Sequence, residues 1–344
     1  MADRRTGTVQ ETSGSYGIKM PYTYNKIRVT TMSDPINRNV IVEEAIDQVA
    51  ASAVYGGTYK TGGSFEGMFR PHQMADVLAS AFGKVKTSEL DNDVYRFNQT
   101  ADVSLNLYIE DEQATPTTTT FSAGKGIGIL YTGVGIMAMD ITASVKEMVK
   151  AKFTWIGQRA FIVNPASITA VNFLDVDEEP SVFYNTVLTF AGNPFRAKSF
   201  TLNSTRKFDE DYYFIGSEFL QGLFINGLNE LGGSMTFGAG EWDQLQLAIT
   251  GSITAGMLDD KIASSANDFL GANANTLGRG KINIKLYNPS GSASVAEFVI
   301  DEAVITEMNH SVTGRNQWEK TANWRAILNP ENGKNFALGI SKNT

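Results

Sequence analysis

The stretch Val103-Ser104-Leu105-Asn106-Leu107-Tyr108-Ile109 alternates apolar and polar residues. Successive side chains of a β-strand point to opposite sides, so its apolar residues share one face and its polar residues the other. Lys281–Leu286 alternates in the same way, and Lys152–Trp155 and Thr236-Phe237 are shorter examples. Glycine is abundant at 32 residues and proline scarce at 9, which indicates strands separated by glycine turns. These features predict a mainly β fold.

Two segments have the spacing of short amphipathic helices. In Gln73–Phe82, apolar residues recur at intervals of three and four, and Gly83 follows as a stop signal. The apolar residues are Met74, Val77, Leu78 and Phe82. In the second half of the chain, Trp242, Leu245 and Ile249 have related spacing before Gly251. Each segment is predicted to be a helix that caps a sheet.

The segment Val42–Val54 is ambiguous between helix and strand. Its apolar residues fit a helix by spacing alone. Those residues are Val42, Ala45, Ile46, Val49 and Ala53. We therefore keep a helical and an extended interpretation open.

Composition argues against most catalytic classes. The chain has no cysteine and only two histidines, His72 and His310. Disulfides, thiolate metal sites and cysteine nucleophiles are excluded, and imidazole for metal binding or triad hydrolysis is scarce. Lysine and arginine total 29 against 37 acidic residues, which gives a net charge of −8 and no basic stripe for gripping phosphates. We expect a non-enzymatic protein without cofactor or metal.

The length of 344 residues suits two domains. Apolar residues make up 42% and charged residues 19%, as in ordinary globular proteins. No run approaches the roughly 20 apolar residues that a membrane-spanning helix needs. The start, Met1–Arg5, lacks the apolar run of a signal peptide. We expect no membrane-spanning segment and no cleaved leader.

A weak internal repeat supports two similar domains. Gly62-Gly63-Ser64-Phe65 is echoed 170 residues later by Gly232-Gly233-Ser234-Met235. Asp76 and Asp243, in the two predicted helices, lie 167 residues apart, and Arg159 and Arg325 lie 166 apart. All three offsets are close to half the chain and occur in the same order, so an internal duplication is the economical explanation.

The charged, proline-ended stretch Asp175–Pro180 resembles a domain boundary. We therefore predict domains at 1–175 and 176–344. The first would begin with an extended polar arm of about two dozen residues and carry a long polar loop at 111–123. The second would end in a tail at 329–344.

In the second half, Ser199–Ser204, Gly233–Phe237 and Val304–Arg315 precede the strand Thr321–Ile327. This order resembles that of the tail tube proteins of long-tailed bacteriophages and related viruses. The first half resembles the same domain through Gly63–Glu66 and the segment from Asp140 to Gly157. The resemblance implies a mainly β protein with short helices (α+β), built from two tandem tail-tube-like β-sandwich or barrel domains. It also implies an extended 42–54.

The resemblance further implies a structural subunit of a viral tail, assembled in the host cytoplasm. Two-domain chains would close trimeric, pseudo-hexameric rings that stack into a tube for genome delivery. Expected partners are further copies of the chain, a tape-measure protein, and the tail terminator and baseplate proteins. DNA would pass through the lumen without sequence-specific binding. Two alternatives stay open: a carbohydrate-binding β-sandwich protein, and a non-polymerising baseplate or secretion-system ring.

Few residues can be assigned a functional role from sequence. The long polar loop supplies candidates for contacts between rings, because long loops without their own structure are usually functional or disordered. The candidates are Asp111, Glu112, Thr117, Thr118, Thr119 and Thr120. The arm and the tail are further candidates. Polar faces of inward strands, with Asp, Glu, Asn and Thr, are expected to line the lumen, but the sequence does not specify which residues these are.

Several other patterns have ordinary structural interpretations. Gly124–Gly128 lacks the ending of a phosphate-binding loop, so its glycines are assigned to a twisted or bulged strand. Asp175–Glu179 lacks the glycine and spacing of a calcium loop and is assigned to a solvated linker. His72 is placed at a helix start and His310 in a turn. The four tryptophans are assigned mainly to packing.

Overall fold

The computed structural model is mostly β, as the sequence predicts. It describes residues 6–10, 24–43, 53–83, 87–89, 92–97, 103–111, 127–163, 173–174, 178–238, 244, 247–248, 278–289, 294–311, 319–328 and 336–341.

The first half contains strands and one helix, α1 (Ala75–Phe82). Its strands are β1 (Thr6–Gln10), β2 (Tyr24–Ile27), β3 (Thr31–Ser33), β4 (Ile36–Glu43), β5 (Ala53–Met68), β6 (Thr87–Glu89), β7 (Asn92–Arg96), β8 (Leu105–Asp111), β9 (Ile127–Ser144), β10 (Lys150–Gly157), β11 (Arg159–Val163) and β12 (Phe173–Leu174).

The second half begins with a short 3-10 helix at Phe183–Asn185. Its strands are β13 (Val187–Phe190), β14 (Asn193–Pro194), β15 (Ser199–Thr205), β16 (Glu230–Gly238), β17 (Arg279–Tyr287), β18 (Ser294–Ser311), β19 (Glu319–Ala326) and β20 (Phe336–Ser341).

Eight strands form a continuous antiparallel sheet that spans both halves. Their order is β3, β5, β10, β9, β15, β16, β19, β18. The first four strands belong to the first half and the last four to the second, and β9 meets β15 in the middle. We call this the spanning sheet. β4 continues the line of β3 along β5.

One face of the spanning sheet is buried and apolar. Its side chains alternate with polar ones along every strand, as the period of two requires. Buried members include Phe65, Phe153, Ile141, Phe200, Leu202, Met235 and Trp324. They pack in one continuous core with β8, β17, β20 and the opening halves of β9 and β18. This core crosses the boundary between the halves, so the two halves share their largest stabilising element.

The helix α1 confirms the first helix prediction. Met74, Val77, Leu78 and Phe82 are all buried. Gly83 ends the helix in the left-handed conformation, at φ 72°, and its N–H donates to the carbonyl oxygens of the last turn. For the second predicted helix, residues 244, 247 and 248 are helical, whereas Trp242, Leu245 and Ile249 lie outside the described residues.

The strand pairings of the first half recur in the second. Trp155 of β10 lies opposite Gly63, and Trp324 of β19 lies opposite Gly233. One extra residue, Met137 in β9, interrupts the β9–β10 pairing next to Ile136, which is the partner of Trp155. Another, Thr306 in β18, interrupts the β18–β19 pairing next to Ile305, which is the partner of Trp324. β1 pairs antiparallel with β8, and β13 pairs antiparallel with β17 in the same way. This register makes Arg325 the counterpart of Ile156, so the sequence match of Arg325 with Arg159 was wrong.

The strand pairings decide the interpretation of Val42–Val54, which the sequence left open, and revise three other expectations. Within Val42–Val54, the described residues are extended, because Val42 pairs with Val54 and Glu43 with Ala53. Residues 6–10 of the predicted extended arm form β1, which pairs with both β2 and β8. The C-terminal segment contributes β20, which pairs with β18 and β7. His310 lies in β18 and not in a turn.

The stretch Asp175–Pro180 is also not a simple solvated linker. The side chain of Glu178 is almost fully buried. Its carboxylate accepts hydrogen bonds from the backbone N–H groups of His72 at 3.0 Å and Gln73 at 3.2 Å, and His72 Nδ1 lies 2.7 Å away. A carboxylate is favourable where N–H groups converge at the start of a helical segment. Glu178 therefore ties the middle of the chain to the turn before α1.

Candidate functional site

The second face of the spanning sheet carries rows of polar side chains, whereas Ile156 on the same face is covered by Phe208, Leu220 and Leu223. The strand registers bring the polar side chains into rows that cross both halves. One row runs Thr142, Thr201, Ser234, Asn323, Glu307, and the next runs Ser144, Ser199, Thr236, Thr321, Asn309. We call this surface the polar face. In these two rows every side chain carries a hydroxyl, an amide or a carboxylate.

Hydrogen bonds between neighbouring strands order the polar face. Thr201 Oγ1 lies 2.9 Å from Ser234 Oγ, and Thr236 Oγ1 lies 3.0 Å from Thr321 Oγ1. Asn323 donates to the carboxylate of Glu307 at 3.0 Å. Cross-strand pairs of this kind stabilise a sheet by up to about 1 kcal/mol each. Polar side chains of these rows therefore already form hydrogen bonds with one another across neighbouring strands.

Cations on and beside the polar face have carboxylates close by. Lys207 Nζ lies 2.9 Å from Glu230 Oε1, and Lys198 Nζ lies 3.0 Å from Glu319 Oε1. Lys152 stands between Glu66 and Asp140 in the strand register. Phosphate binding needs positive charge that the protein has not already compensated. The described part of the face is therefore poorly suited to hold a nucleic acid backbone.

Two carboxyl groups on this face have displaced pKa values. Burial raises the pKa of Asp140, and the nearby Lys152 ammonium partly opposes that rise. The hydrogen bond and charge of Lys207 lower the pKa of Glu230. Asp140 lies midway across the sheet, whereas Glu230 is exposed at its margin.

The joint between the halves is closed by β15 lying on β9. Thr201 lies opposite Thr142, and Leu202 opposite Ile141. Directly after β15, Arg206 is almost completely buried, and its guanidinium Nη1 donates to the backbone oxygen of Ser80 at 2.7 Å. Ser80 belongs to the last turn of α1, where a cation is favoured by the helix dipole. The joint is thus held by backbone pairing, apolar burial and one buried cation.

The two ends of the spanning sheet are open among the described residues. β3 pairs with β5 on one side and with no described strand on the other. The last residues of β18, from Glu307 to Ser311, pair with β19 alone. Unpaired edges of this kind are templates for pairing with another chain.

The structure describes few of the loop residues predicted to join rings. Asp111 is the last residue of β8. Glu112 and Thr117–Thr120 lie outside the described residues, as does most of the loop at 111–123. The proposed contact therefore stays a prediction.

Other residues singled out in the sequence have structural places. Gly128, Gly133 and Gly135 lie within β9, as expected for glycines of a twisted strand. Trp155 and Trp324 are buried in the core, and Trp242 and Trp318 are not described. Within the described ranges, no group of three His, Asp or Glu residues could hold a metal ion. No helix in that part of the chain is long and apolar enough to cross a bilayer.

The sequence predicts that polar faces of strands line the channel, but it does not specify which residues form that surface. The signal was present in Ser199–Ser204, whose alternation matches the burial of β15. Alternation identifies residues that share a face. It does not reveal that eight strands from two halves place these faces side by side.

A family model described as phage tail tube protein matches residues 8–323, which is most of the chain. No curated protein matches the chain.

Proposed function

The chain belongs to the phage tail tube protein family, and from this premise we propose that three copies close a pseudo-hexameric ring whose stacked copies form a channel for DNA. The observation that carries the proposal is the spanning sheet, with a polar face and two open ends. Pairing between open ends joins copies sideways, and the polar face then lines the lumen. The protein is a structural subunit of the virion tail, assembled in the host cytoplasm.

The charge of the polar face supports a lumen position. DNA in transit must not adhere to the wall, because each neutralised phosphate adds salt-dependent affinity. The lysines described above are compensated by carboxylates, and the whole chain carries a net charge of −8. Such a wall offers DNA no basic stripe.

The recurring strand pairings support an origin of the two halves, 1–175 and 176–344, by internal duplication. Each half then supplies one of six similar units in a three-chain ring. A covalent link between units raises the effective concentration for closing every second joint.

Stacking of rings requires a second contact, which we assign to the loop at 111–123. Deleting residues 112–120 is expected to leave ring formation intact and to stop tube growth. Electron microscopy of the deletion variant distinguishes these outcomes. Normal tubes would reject the loop as the stacking element.

The remaining partners in this proposal are a tape-measure protein in the lumen before ejection and the terminator and baseplate proteins at the tube ends. Negative-stain electron microscopy of the purified chain tests the main proposal. Tubes with a central channel are the expected result. Isolated rings that never stack would favour a baseplate or secretion-system ring, and monomers that bind glycans would favour a carbohydrate-binding protein.

A further inference from the structure

The chain contains one complete joint between its halves and the unpaired components of a second. In the complete joint, β15 lies antiparallel on β9. The unpaired components are β3 with the start of β4 at one end of the spanning sheet, and the last residues of β18 at the other. The question is whether these edges match the two edges of the complete joint.

The first edge corresponds to β15. Ser33 lies opposite Ser64 in the β3–β5 pairing, as Thr201 lies opposite Ser234 in the β15–β16 pairing. A backbone hydrogen bond just before each strand repeats this relation. The N–H of Thr30 donates to Glu66 O of β5, and the N–H of Lys198 donates to Thr236 O of β16. The correspondence with β15 continues as far as Asn37 of β4, with no residue inserted or deleted.

The second edge corresponds to the end of β9. The extra residue in the pairing is Met137 in β9 and Thr306 in β18. Counted from these two residues, Ser311 corresponds to Thr142. Thr142 is the residue that lies opposite Thr201 in the complete joint.

We propose that β3 and the start of β4 of one copy pair with the end of β18 of the next copy in the register of the complete joint. Ser33 then lies opposite Ser311 of the next copy, and Asn37 opposite its Glu307. We call this contact the seam. The inference rests on the proposed ring and adds which residues meet when it closes.

The backbone groups of the first edge face the seam correctly. In the complete joint, the N–H of Arg206 donates to Met137 O at 2.7 Å, and the N–H of Val145 donates to Lys198 O at 3.0 Å. Within β15, the even-numbered residues therefore direct their backbone N–H and C=O groups toward β9, whereas the N–H of Lys198, which precedes the strand, donates to Thr236 O of β16. By this correspondence, the even-numbered residues of β3 and of the start of β4, from Met32 on, direct their backbone N–H and C=O groups away from β5, toward the seam. Pro35 is odd-numbered, so its missing N–H costs the seam no hydrogen bond.

Arg38 at the first edge is the counterpart of Arg206 after β15. It occupies the position in the first half that Arg206 occupies in the second, where the guanidinium reaches the carbonyl of Ser80. The helical residues Leu247 and Ala248 are at the place in the second half that corresponds to Ser80. By this correspondence, Arg38→Ala is expected to weaken ring closure, as Arg206→Ala is expected to weaken the complete joint.

The two edges are different surfaces, so the contact is head to tail. Such contacts generate closed rings when the rotation closes and open helical filaments when it does not. Each copy uses both edges once, which leaves no open end in a closed ring.

Disulfide cross-linking tests the seam directly, because the natural chain contains no cysteine. The double variant Ser33→Cys/Ser311→Cys is assembled, oxidised mildly and separated on a non-reducing gel. Opposed residues of a non-hydrogen-bonded antiparallel pair have Cα atoms about 4.5 Å apart, within disulfide range. Cross-linked dimers and larger closed species are expected.

Two matched variants provide the controls. Ser33→Cys/Asn309→Cys shifts one partner by two residues, to a diagonal Cα separation of about 7–8 Å, and at least about tenfold less product is expected. Thr142→Cys/Thr201→Cys places the same pair in the complete joint and should cross-link within one chain. Formation of this cross-link within one chain also shows that the complete joint is correctly folded.

The outcomes separate the seam from the proposed function. Rings or tubes that cross-link through Ser33 and Ser311 support both. Rings or tubes that cross-link only in the shifted register, or through neither pair, overturn the seam and leave the tube intact. A natural chain that forms no rings overturns the proposed function and the seam with it.

Discussion

The joint between β9 and β15 and the open ends of the spanning sheet have the same backbone design but different side chains. In the joint, Leu202 faces Ile141, and both are buried. The corresponding residues at the open ends are Asp34 and His310. Asp34 accepts a hydrogen bond from the hydroxyl of Tyr131 at 2.8 Å, so it is held in place within its own half. An apolar pair suits a permanent contact, whereas polar residues protect an edge that waits in water for a partner.

The largest effect is expected from removing the buried cation of the joint. Arg206→Ala removes the hydrogen bond to Ser80 and leaves a cavity, which should lower the free energy of unfolding by about 3 kcal/mol. Arg38→Ala should cost the monomer less than about 1 kcal/mol but weaken ring closure. Urea denaturation measures the first effect and electron microscopy the second. Equal losses of monomer stability would contradict the distinction between joint and open end.

The paired glycines should give the next largest effect. A Cβ at Gly233 would overlap the carbonyl oxygen of Thr201, and one at Gly63 would overlap that of Ser33. Gly233→Ala should lower the free energy of unfolding by about 2 kcal/mol, because β15 is held between two strands. Gly63→Ala should cost about 1 kcal/mol, because β3 can shift at an open edge.

Gly238→Ala is the matched control, since its Cβ would meet only an ordinary contact with Lys198 at 3.9 Å. Thermal and urea denaturation of the three variants should show the largest loss of stability for Gly233→Ala. A larger loss at Gly63 would show that β3 is as firmly held as β15.

A proline at the open end should separate folding from assembly. His310→Pro removes an N–H that faces the seam and leaves the β18–β19 bonds in place, so monomer stability should change by less than about 1 kcal/mol. Asn309→Pro is the control that removes a bond to β19 and should cost about 3 kcal/mol. Assembly followed by light scattering should be lost for His310→Pro. Tubes from that variant would place the seam elsewhere.

The smallest effect is expected from making the joint resemble the open end at one position. Asp140 in β9 corresponds to Asn309 in β18, and burial raises the pKa of Asp140. A raised carboxyl pKa means that the folded state favours the protonated form, so this contribution to stability is present at low pH and lost as pH rises through the folded pKa.

Asp140→Asn should therefore stabilise the chain near pH 7, by no more than about 0.5 kcal/mol at this half-exposed position, and the gain should vanish near pH 3. Urea denaturation of both proteins across this pH range measures the difference. A variant that is less stable than the natural chain at pH 7 would show that the contact with Lys152 outweighs burial.

Local signals in the sequence predicted local structure well. The alternation in Lys281–Leu286 gave β17 with Ile282, Ile284 and Leu286 buried, and the spacing before Gly83 gave α1. These features depend on periodicity and on one residue that tolerates a left-handed conformation.

Long-range pairing explains the failures. The sequence predicted an extended arm and a tail for the segments that contain β1 and β20, because the pairing of these strands depends on edges of β8 and β18 far away in the chain. Asn106 and Tyr108, on the polar side of the alternating stretch, are buried, because β8 is covered on both faces. Glu178 looked like part of a solvated linker because its hydrogen-bond donors lie more than a hundred residues earlier.

A cryo-electron microscopy map of the assembled natural chain tests the central claim most directly. The expected map shows a continuous β wall with the polar face toward the channel and Ser33 of each copy beside Ser311 of the next. A wall with a gap at these edges, a different strand pairing, or the polar face turned outward would contradict the account.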